Sequence, residues 1–199
     1  MKKTIAAVVC AAAAALSVQA HAEDAKVLRM ACESTYAPFV FFDSETGKLK
    51  GFEIDLLEYV AKEMGRKLEV TNMGFDAIIP SMLTGITDVG ASAFTITPER
   101  AKRVLFSKPY YISGLSILVR AEDKDKIKSV KDIENCTICA QIGTSGSMRA
   151  AKVPGAKVRN FNTINDAYLE LGNKGCKAVI TDRPVTAYFL AARPETAKT

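Results

Sequence analysis

Segments with the pattern of β-strands alternate with segments with the pattern of α-helices along most of the chain. Residues 52–64 show the helical pattern well, because Phe52, Leu56, Val60 and Met64 recur every four positions and Gly65 follows where a C-terminal cap belongs. Such alternation is typical of α/β proteins, in which helices pack on a sheet. Strands are predicted over residues 27–32, 67–70, 88–93, 113–119, 137–140 and 177–181, and helices over residues 52–64, 77–83, 131–134 and 163–172, with further helices beginning at Thr97 and after residues 143–146.

The alternating pattern is interrupted by a charged stretch, residues 120–128, and then begins again. A repeat of the pattern after such an interruption indicates two structural units. We therefore predict lobe I over residues 23–113, a hinge strand over residues 114–119 and lobe II over residues 120–199.

The first 22 residues have the features of a cleaved signal peptide. Lys2 and Lys3 precede an apolar run over residues 5–18, and Ala20-His21-Ala22 matches the small-x-small cleavage pattern. The alternative is a membrane anchor, but the run is too short to span a bilayer comfortably. We expect residues 1–22 to be removed on export.

Composition excludes several classes of function. The single histidine, His21, lies in the predicted signal peptide, so the mature chain would lack Ser-His or Cys-His nucleophiles and the usual zinc sites. Loss of Lys2 and Lys3 would lower the formal net charge from +5 to +3, which is too small for a nucleic-acid surface. The Gly-x-x-x-x-Gly-Lys loop of nucleotide-binding proteins is absent, and we predict no cofactor and no metal.

Four cysteines remain after the signal peptide. Cys136-x-x-Cys139 has metal or redox spacing, but no second pair completes a zinc site. Cys136 and Cys176 each stand where a strand is predicted to begin, so parallel neighbours would bring them together. We predict a Cys136–Cys176 disulfide, with Cys32 and Cys139 buried and reduced; a Cys136–Cys139 pair is the alternative.

Six motifs occur in order along the chain. They are Gly51-Phe52-Glu53-Ile54-Asp55-Leu56, Asp76-Ala77-Ile78-Ile79-Pro80-Ser81, Thr95-Ile96-Thr97-Pro98-Glu99-Arg100, Phe106-Ser107-Lys108-Pro109-Tyr110-Tyr111, Asn165-Asp166-Ala167-Tyr168-Leu169-Glu170-Leu171-Gly172 and Thr181-Asp182-Arg183-Pro184. Together they resemble the polar amino-acid family of bacterial solute-binding proteins, family 3. Residues 106–188 are most similar to glutamine-binding members.

The resemblance implies a two-lobed α/β fold of the periplasmic binding protein type II class. It also implies a monomer in the periplasm that binds a polar L-amino acid, glutamine first and a basic amino acid second, and delivers it to the permease of an ABC-type importer. Members normally continue well past the position of Phe189. The resemblance therefore implies that the C-terminal return to lobe I is missing here.

Two charged residues are expected to hold the ends of the amino acid. Arg100 lies three residues after the predicted N-cap Thr97, and its planar fork can bond both oxygens of a carboxylate. Asp182 stands at the end of a predicted strand, where α/β sheets bind ligands, and would bind the ammonium. The alternatives are an ordinary surface arginine, like Arg103, and an ordinary helix N-cap; the resemblance favours the ligand roles.

Further site residues rest largely on the resemblance. The Thr95 hydroxyl and N–H and the Ala93 carbonyl would contact the ligand, Ser92 would line the same turn, and the N–H groups at Thr144 and Ser145 would meet the carboxylate. Four more residues are expected to recognise the ligand side chain, with core packing as the alternative for the two aromatic ones: Glu33, Tyr36, Phe75 and Gln141.

The sequence is also compatible with other functions. Some proteins of this fold class are periplasmic dehydratases that act on amino-acid-like acids, and Glu33 would be the obvious general acid. A sensory module and a non-functional truncated fragment are further alternatives.

Overall fold

The computed structural model describes residues 26–193, so the predicted signal peptide lies outside the described residues. Within this range no helix is long and apolar enough to cross a membrane. The strands are β1 (Val27–Cys32), β2 (Thr35–Tyr36), β3 (Val40–Phe42), β4 (Leu49–Lys50), β5 (Lys67–Asn72), β6 (Val89–Gly90), β7 (Leu115–Leu118), β8 (Thr137–Gln141), β9 (Lys157–Phe161) and β10 (Ala178–Asp182). The α-helices are α1 (Phe52–Glu63), α2 (Phe75–Leu83), α3 (Pro98–Ala101), α4 (Ser145–Ala150), α5 (Ile164–Gly172) and α6 (Arg183–Ala192), and two 3₁₀-helices cover Ala121–Asp123 and Val130–Ile133.

The first lobe is built on a parallel sheet with the strand order β5-β1-β6. Successive residues of β1 face opposite sides of this sheet, as strand geometry requires. Met30 packs in the apolar cluster formed with α1, whereas the neighbouring Ala31 packs against Phe75 and Ile78 of α2. Helices therefore cover both faces of the sheet, which leaves the ends of its strands available for a site.

The buried face of α1 differs from the row of apolar residues that identifies the helix in the sequence. Ile54, Leu57 and Ala61 are buried, whereas Phe52 and Met64 are 44% and 52% exposed. A row with four-residue spacing drifts around a helix by about 40° at each step, because a turn has about 3.6 residues. Over three steps such a row turns away from the face of the helix that packs on the core. Residues whose spacing alternates between three and four positions stay on that face.

The second lobe is built on a four-stranded sheet with the order β7-β10-β8-β9. The pairs β10–β8 and β8–β9 are parallel, and β7 runs antiparallel to β10 at the edge. The predicted hinge strand coincides with β7, which therefore belongs to the second sheet. The division of the chain at residues 113 and 120 stays a prediction.

Several elements were not predicted because they are short or lack a clear pattern. The strands β2, β3 and β4 contain two or three residues each and form a separate antiparallel sheet. The segment predicted as a strand over residues 88–93 is a strand at Val89–Gly90 alone. Residues 91–95 instead form the turn that carries several site residues.

The predicted Cys136–Cys176 disulfide is wrong, because the structure joins Cys139 to Cys176 with a Cα–Cα distance of 6.0 Å. Both bonded cysteines belong to the apolar cluster under α5, whereas Cys136 precedes β8 and is free. The prediction that these two strands, β8 and β10, are neighbours is confirmed. However, the bond is made by Cys139, whose side chain faces the apolar cluster under α5. Cys32 is buried and reduced as predicted, and burial raises the pKa of its thiol to about 12.

Candidate functional site

The predicted site residues meet between the two sheets, at the carboxyl ends of their parallel strands. Glu33 follows β1, Ser92 and Ala93 follow β6, Gln141 ends β8 and Asp182 ends β10. This is the edge at which open α/β sheets bind ligands. A small cavity of about 10 Å³ lies there and is lined by nine of the predicted residues: Tyr36, Phe75, Ser92, Ala93, Thr95, Arg100, Thr144, Ser145 and Asp182.

Arg100 is fixed by the start of α3. The Thr97 hydroxyl accepts a hydrogen bond from the Arg100 backbone N–H, as the sequence predicts for an N-cap. The Arg100 guanidinium donates to the carbonyl of Thr95 at 2.8 Å and to the carbonyl of Gly143 at 2.9 Å. Within the described residues it forms no ion pair, so a buried cation faces the cavity without an opposite charge bonded to it.

Two aromatic rings hold the guanidinium of Arg100. Its Cζ atom lies 5.3 Å from the ring centre of Phe75 and 5.2 Å from that of Phe94, and the two rings stack with centroids 4.4 Å apart. Such cation–π contacts fix the plane of the fork. Phe94 was not predicted as a site residue from the sequence. Its position between two predicted site residues, Ala93 and Thr95, was the signal that could have identified it.

Asp182 occupies the N-cap position of α6, but its side chain does not cap the helix. Its carboxylate instead accepts a 2.5 Å hydrogen bond from the hydroxyl of Tyr36, which extends from the first lobe and also lies 3.0 Å from the Thr181 hydroxyl. Burial raises the pKa of the Asp182 carboxyl, and the Tyr36 bond and the charge of Arg100 oppose this effect. The Asp182 side chain therefore does not act as an ordinary helix cap.

A buried carboxylate supports the turn after β6. Ala93 has a positive φ of 50°, and its backbone N–H donates to both carboxylate oxygens of Glu53, at 3.0 and 2.9 Å. The hydroxyl of Tyr110 donates to the same carboxylate. Glu53 was not predicted as a site residue, although its place four positions before Leu57, on the buried face of α1, was a detectable signal.

The loop before α4 faces this turn from the second lobe. The Thr144 hydroxyl caps α4 by accepting from the Ser147 N–H and donates to the carbonyl of Gln141, so it is fully engaged. The hydroxyl of Thr95 donates to the hydroxyl of Ser145 at 3.2 Å and joins the two lobes.

Glu33 and Gln141 do not line the cavity but form a second contact between the lobes. The Gln141 Nε2 donates to Glu33 at 2.9 Å and to the carbonyl of Asn162 at 3.0 Å. Glu33 also accepts from the N–H and the hydroxyl of Thr35. Burial raises the pKa of the Glu33 carboxyl, and Gln141 Oε1 is buried without a hydrogen-bond partner in the described range.

A larger opening of about 440 Å³ lies elsewhere, between β7 and the 3₁₀-helix Val130–Ile133. Its lining mixes apolar residues with polar and charged ones, such as Lys128 and Arg149, and contains none of the predicted site residues. The convergence of buried charges, rather than the size of an opening, therefore identifies the candidate site.

Comparison with known proteins gives relatives over most of the chain. It is 33% identical over 168 residues to a protein from Campylobacter jejuni named "Probable histidine-binding protein", and the match covers 84% of this chain and 64% of that relative. The chain thus spans less than two thirds of the relative's length.

Solved structures agree with the predicted fold. An ancestral amino acid-binding protein described as a precursor of cyclohexadienyl dehydratase has a TM-score of 0.80 at 40% identity, covering 84% of this chain and 74% of its own. An ancestral arginine-binding protein matches at 38% identity when bound to arginine, with a TM-score of 0.83, and when bound to glutamine, with a TM-score of 0.79; each match covers 86% of this chain and 76% of the other.

These matches confirm the two-lobed type II periplasmic binding protein fold. The model of the bacterial extracellular solute-binding proteins, family 3, matches residues 28–189. The chain belongs to this family.

Proposed function

We propose that the chain binds a free polar L-amino acid between its lobes in the periplasm and, as a monomer, delivers it to the permease of an ABC-type amino-acid importer. The observation that carries this proposal is the pair of buried, opposite charges, Arg100 and Asp182, in one cavity. A carboxylate and an ammonium leave water only where charged partners replace their hydration. The free amino acid supplies both groups on one carbon atom.

The charges of the site favour a basic side chain. Arg100 and Asp182 contribute one positive and one negative charge in the cavity. Glu33, whose backbone N–H donates to the cavity-lining Ser92, adds a second negative charge next to it, and the hydrogen-bond partners of Glu33 are neutral. An amino acid with a cationic side chain has the opposite net charge and would neutralise the site. We therefore rank arginine before glutamine, reversing the order inferred from the sequence. The binding of arginine and of glutamine by one ancestral relative supports this pair of candidates.

Calorimetric titration of the chain against all twenty L-amino acids tests the proposal. We expect tight binding of arginine, weaker binding of glutamine and no binding of the D-enantiomers. When Arg100 and Asp182 hold the carboxylate and the ammonium, the side chain of a D-enantiomer points away from the residues expected to contact it. The absence of heat with every amino acid would refute the proposal.

A dehydratase is the second candidate, because one structural neighbour is described as a precursor of such an enzyme. Glu33 would supply the general acid. Both Glu33 oxygens accept hydrogen bonds, which lower the pKa of this carboxyl, but burial has the larger effect and raises it, which would suit a proton donor. Incubation with amino-acid-like carboxylic acids, followed by chromatography for a dehydrated product, distinguishes the two functions. A product that disappears in Glu33→Gln would favour the enzyme.

A further inference from the structure

Glu53 is a buried carboxylate that the proposed ligand contacts leave unexplained. It is the second residue of α1 and is 0% exposed. Within the part of the chain that the structure describes, no cation forms an ion pair with it, and its partners are the N–H of Ala93 and the hydroxyl of Tyr110. Burying a carboxylate with only neutral donors is costly. A carboxylate in this position therefore needs a role that an apolar residue could not fulfil.

The hydrogen bonds of Glu53 fix a backbone conformation that alanine rarely adopts. Ala93 has a φ of 50°, in the left-handed region that the Cβ atom disfavours. Because both oxygens accept from the Ala93 N–H, the peptide plane between Ser92 and Ala93 is held in one orientation. The next peptide carries the Ala93 carbonyl, which we expect to accept from the ligand ammonium, and Ala93 lines the cavity.

Tyr110 ties a second segment to the same carboxylate. It lies in the irregular connection between α3 in the first lobe and β7 in the second sheet. Its hydroxyl donates to Glu53, and its ring packs 5.9 Å from the ring of Phe52. One buried side chain thus holds both the turn at Ala93 and the connection between the lobes.

We infer that Glu53 is a positioning residue for amino-group recognition, which it serves by holding the Ser92–Ala93 turn without touching the ligand. The inference rests on the proposed function. It predicts a defect confined to the α-amino group of the ligand rather than a general loss of affinity.

Paired ligands with and without the amino group test this role. L-arginine is compared with δ-guanidinovaleric acid, and L-glutamine with glutaramic acid, by calorimetry on the wild type, Glu53→Ala, Glu53→Gln and Ser81→Ala. Ser81 is a buried polar residue of the same lobe that bonds Thr87 and Ile78, so it controls for general loss of stability.

The wild type should bind each amino acid at least about a hundredfold more tightly than its des-amino partner, since two charge-assisted hydrogen bonds are lost. In Glu53→Ala this ratio should fall by about tenfold or more. Glu53→Gln should keep most of the ratio, because an amide oxygen can still accept from Ala93, and Ser81→Ala should keep all of it. If Glu53→Ala weakens both members of each pair equally, the residue is merely structural and the inference is wrong.

A measurement without ligand separates this inference from the proposed function. Amide hydrogen exchange at Ala93, followed by NMR, should be at least about tenfold faster in Glu53→Ala than in the wild type and unchanged in Ser81→Ala. Unchanged exchange in Glu53→Ala would overturn the inference. A wild type that binds no amino acid would refute the proposed function, while the Ala93 amide still decides the role of Glu53.

Discussion

Arg100, Asp182 and Glu33 are 7%, 8% and 4% exposed, and none of them forms an ion pair among residues 26–193. Removing an ion from water without an opposite charge is unfavourable. A ligand with complementary charges would relieve this cost directly at Arg100 and Asp182, which line the cavity, and a cationic side chain would relieve it in part at the neighbouring Glu33. Selectivity at the residue scale therefore depends on which of these charges a given ligand can match.

Arg100→Ala should lower the affinity for the amino acid by at least about a hundredfold, because loss of one member of a buried charge pair typically costs about 3–5 kcal/mol. Arg100→Lys should also bind poorly, since a point charge does not replace the planar fork. Arg103→Ala, at an exposed position, is the matched control and should bind normally. Normal calorimetric affinity in Arg100→Ala would show that the site is misplaced.

Glu33→Gln should change the choice of ligand rather than abolish binding. Removal of the negative charge should weaken arginine by about tenfold or more, because a charge-assisted hydrogen bond becomes neutral, and should affect glutamine little. The ratio of the two dissociation constants, measured by calorimetry, reports the effect. An equal loss for both amino acids would argue against a side-chain contact at Glu33.

Stability should depend on pH through three buried carboxyl groups. Burial raises the pKa of Glu33, Glu53 and Asp182, so the folded chain holds more protons than the unfolded chain from about pH 4 upward. The free energy of unfolding therefore falls as the pH rises through this window. Urea unfolding between about pH 4.5 and pH 7 should show a smaller fall in Glu33→Gln than in the wild type, and the full fall in Ser81→Ala. A Glu33→Gln slope equal to that of the wild type would contradict this assignment.

At the scale of elements, the second sheet is closed by a covalent link. The Cys139–Cys176 bond joins the interior of β8 to the loop before β10, across 37 residues of sequence. The loop that it closes contains α4, β9 and α5. The bond therefore restricts the unfolded chain over nearly half of the second lobe.

Replacing both cysteines, Cys139→Ser with Cys176→Ser, should lower the free energy of unfolding by about 2–4 kcal/mol in denaturant titrations. Cys136→Ser should have little effect, because that thiol is free and partly exposed. Peptide mapping of unreduced, unfolded protein should find Cys32 and Cys136 alkylated and the other two protected. Alkylation of Cys139 before reduction would exclude this pairing.

The sequence predicts elements well where local chemistry determines them. The range of β1, the cap at Thr97 and the end of α5 at Gly172 agree with the structure because each depends on neighbouring residues. Pairings that depend on distant residues were not predictable in this way. The Cys139 bond depends on which face of β8 meets α5, and the role of Glu53 depends on a turn forty residues away.

The site residues show the same difference between features that depend on neighbouring residues and features that depend on distant ones. Nine predicted residues line one cavity, because the motifs that carry them end strands or begin helices. Phe94 and Glu53 each carry a signal in their position along the chain, but their contacts with Arg100 and Ala93 form only in the folded lobe, so their roles were not predicted.

At the scale of the whole molecule, side chains from each lobe bond the other directly. Tyr36 reaches Asp182, Gln141 reaches Glu33, and Arg100 reaches the carbonyl of Gly143. Of these residues, Tyr36, Arg100 and Asp182 line the cavity. A ligand there would contact both lobes at once and favour the arrangement in which they meet.

Ligand binding should therefore protect both lobes. At an arginine concentration about 100 times the dissociation constant, the free energy of unfolding should rise by about 2.7 kcal/mol. Hydrogen exchange followed by mass spectrometry should slow in peptides that contain Arg100 and in peptides that contain Asp182. Arg100→Ala at the same arginine concentration should show neither effect. Protection of the first lobe alone would mean that the ligand does not bridge the lobes.

The bond between Tyr36 and Asp182 also has an optical consequence. The chain contains six tyrosines and no tryptophan, so tyrosine emission is not masked by energy transfer to an indole. A carboxylate that accepts the proton of an excited phenol quenches its fluorescence, and this contact exists only while the two lobes meet. We therefore expect the tyrosine emission of the chain to rise when the cleft opens and Tyr36 loses this bond, which would report the movement without any attached dye.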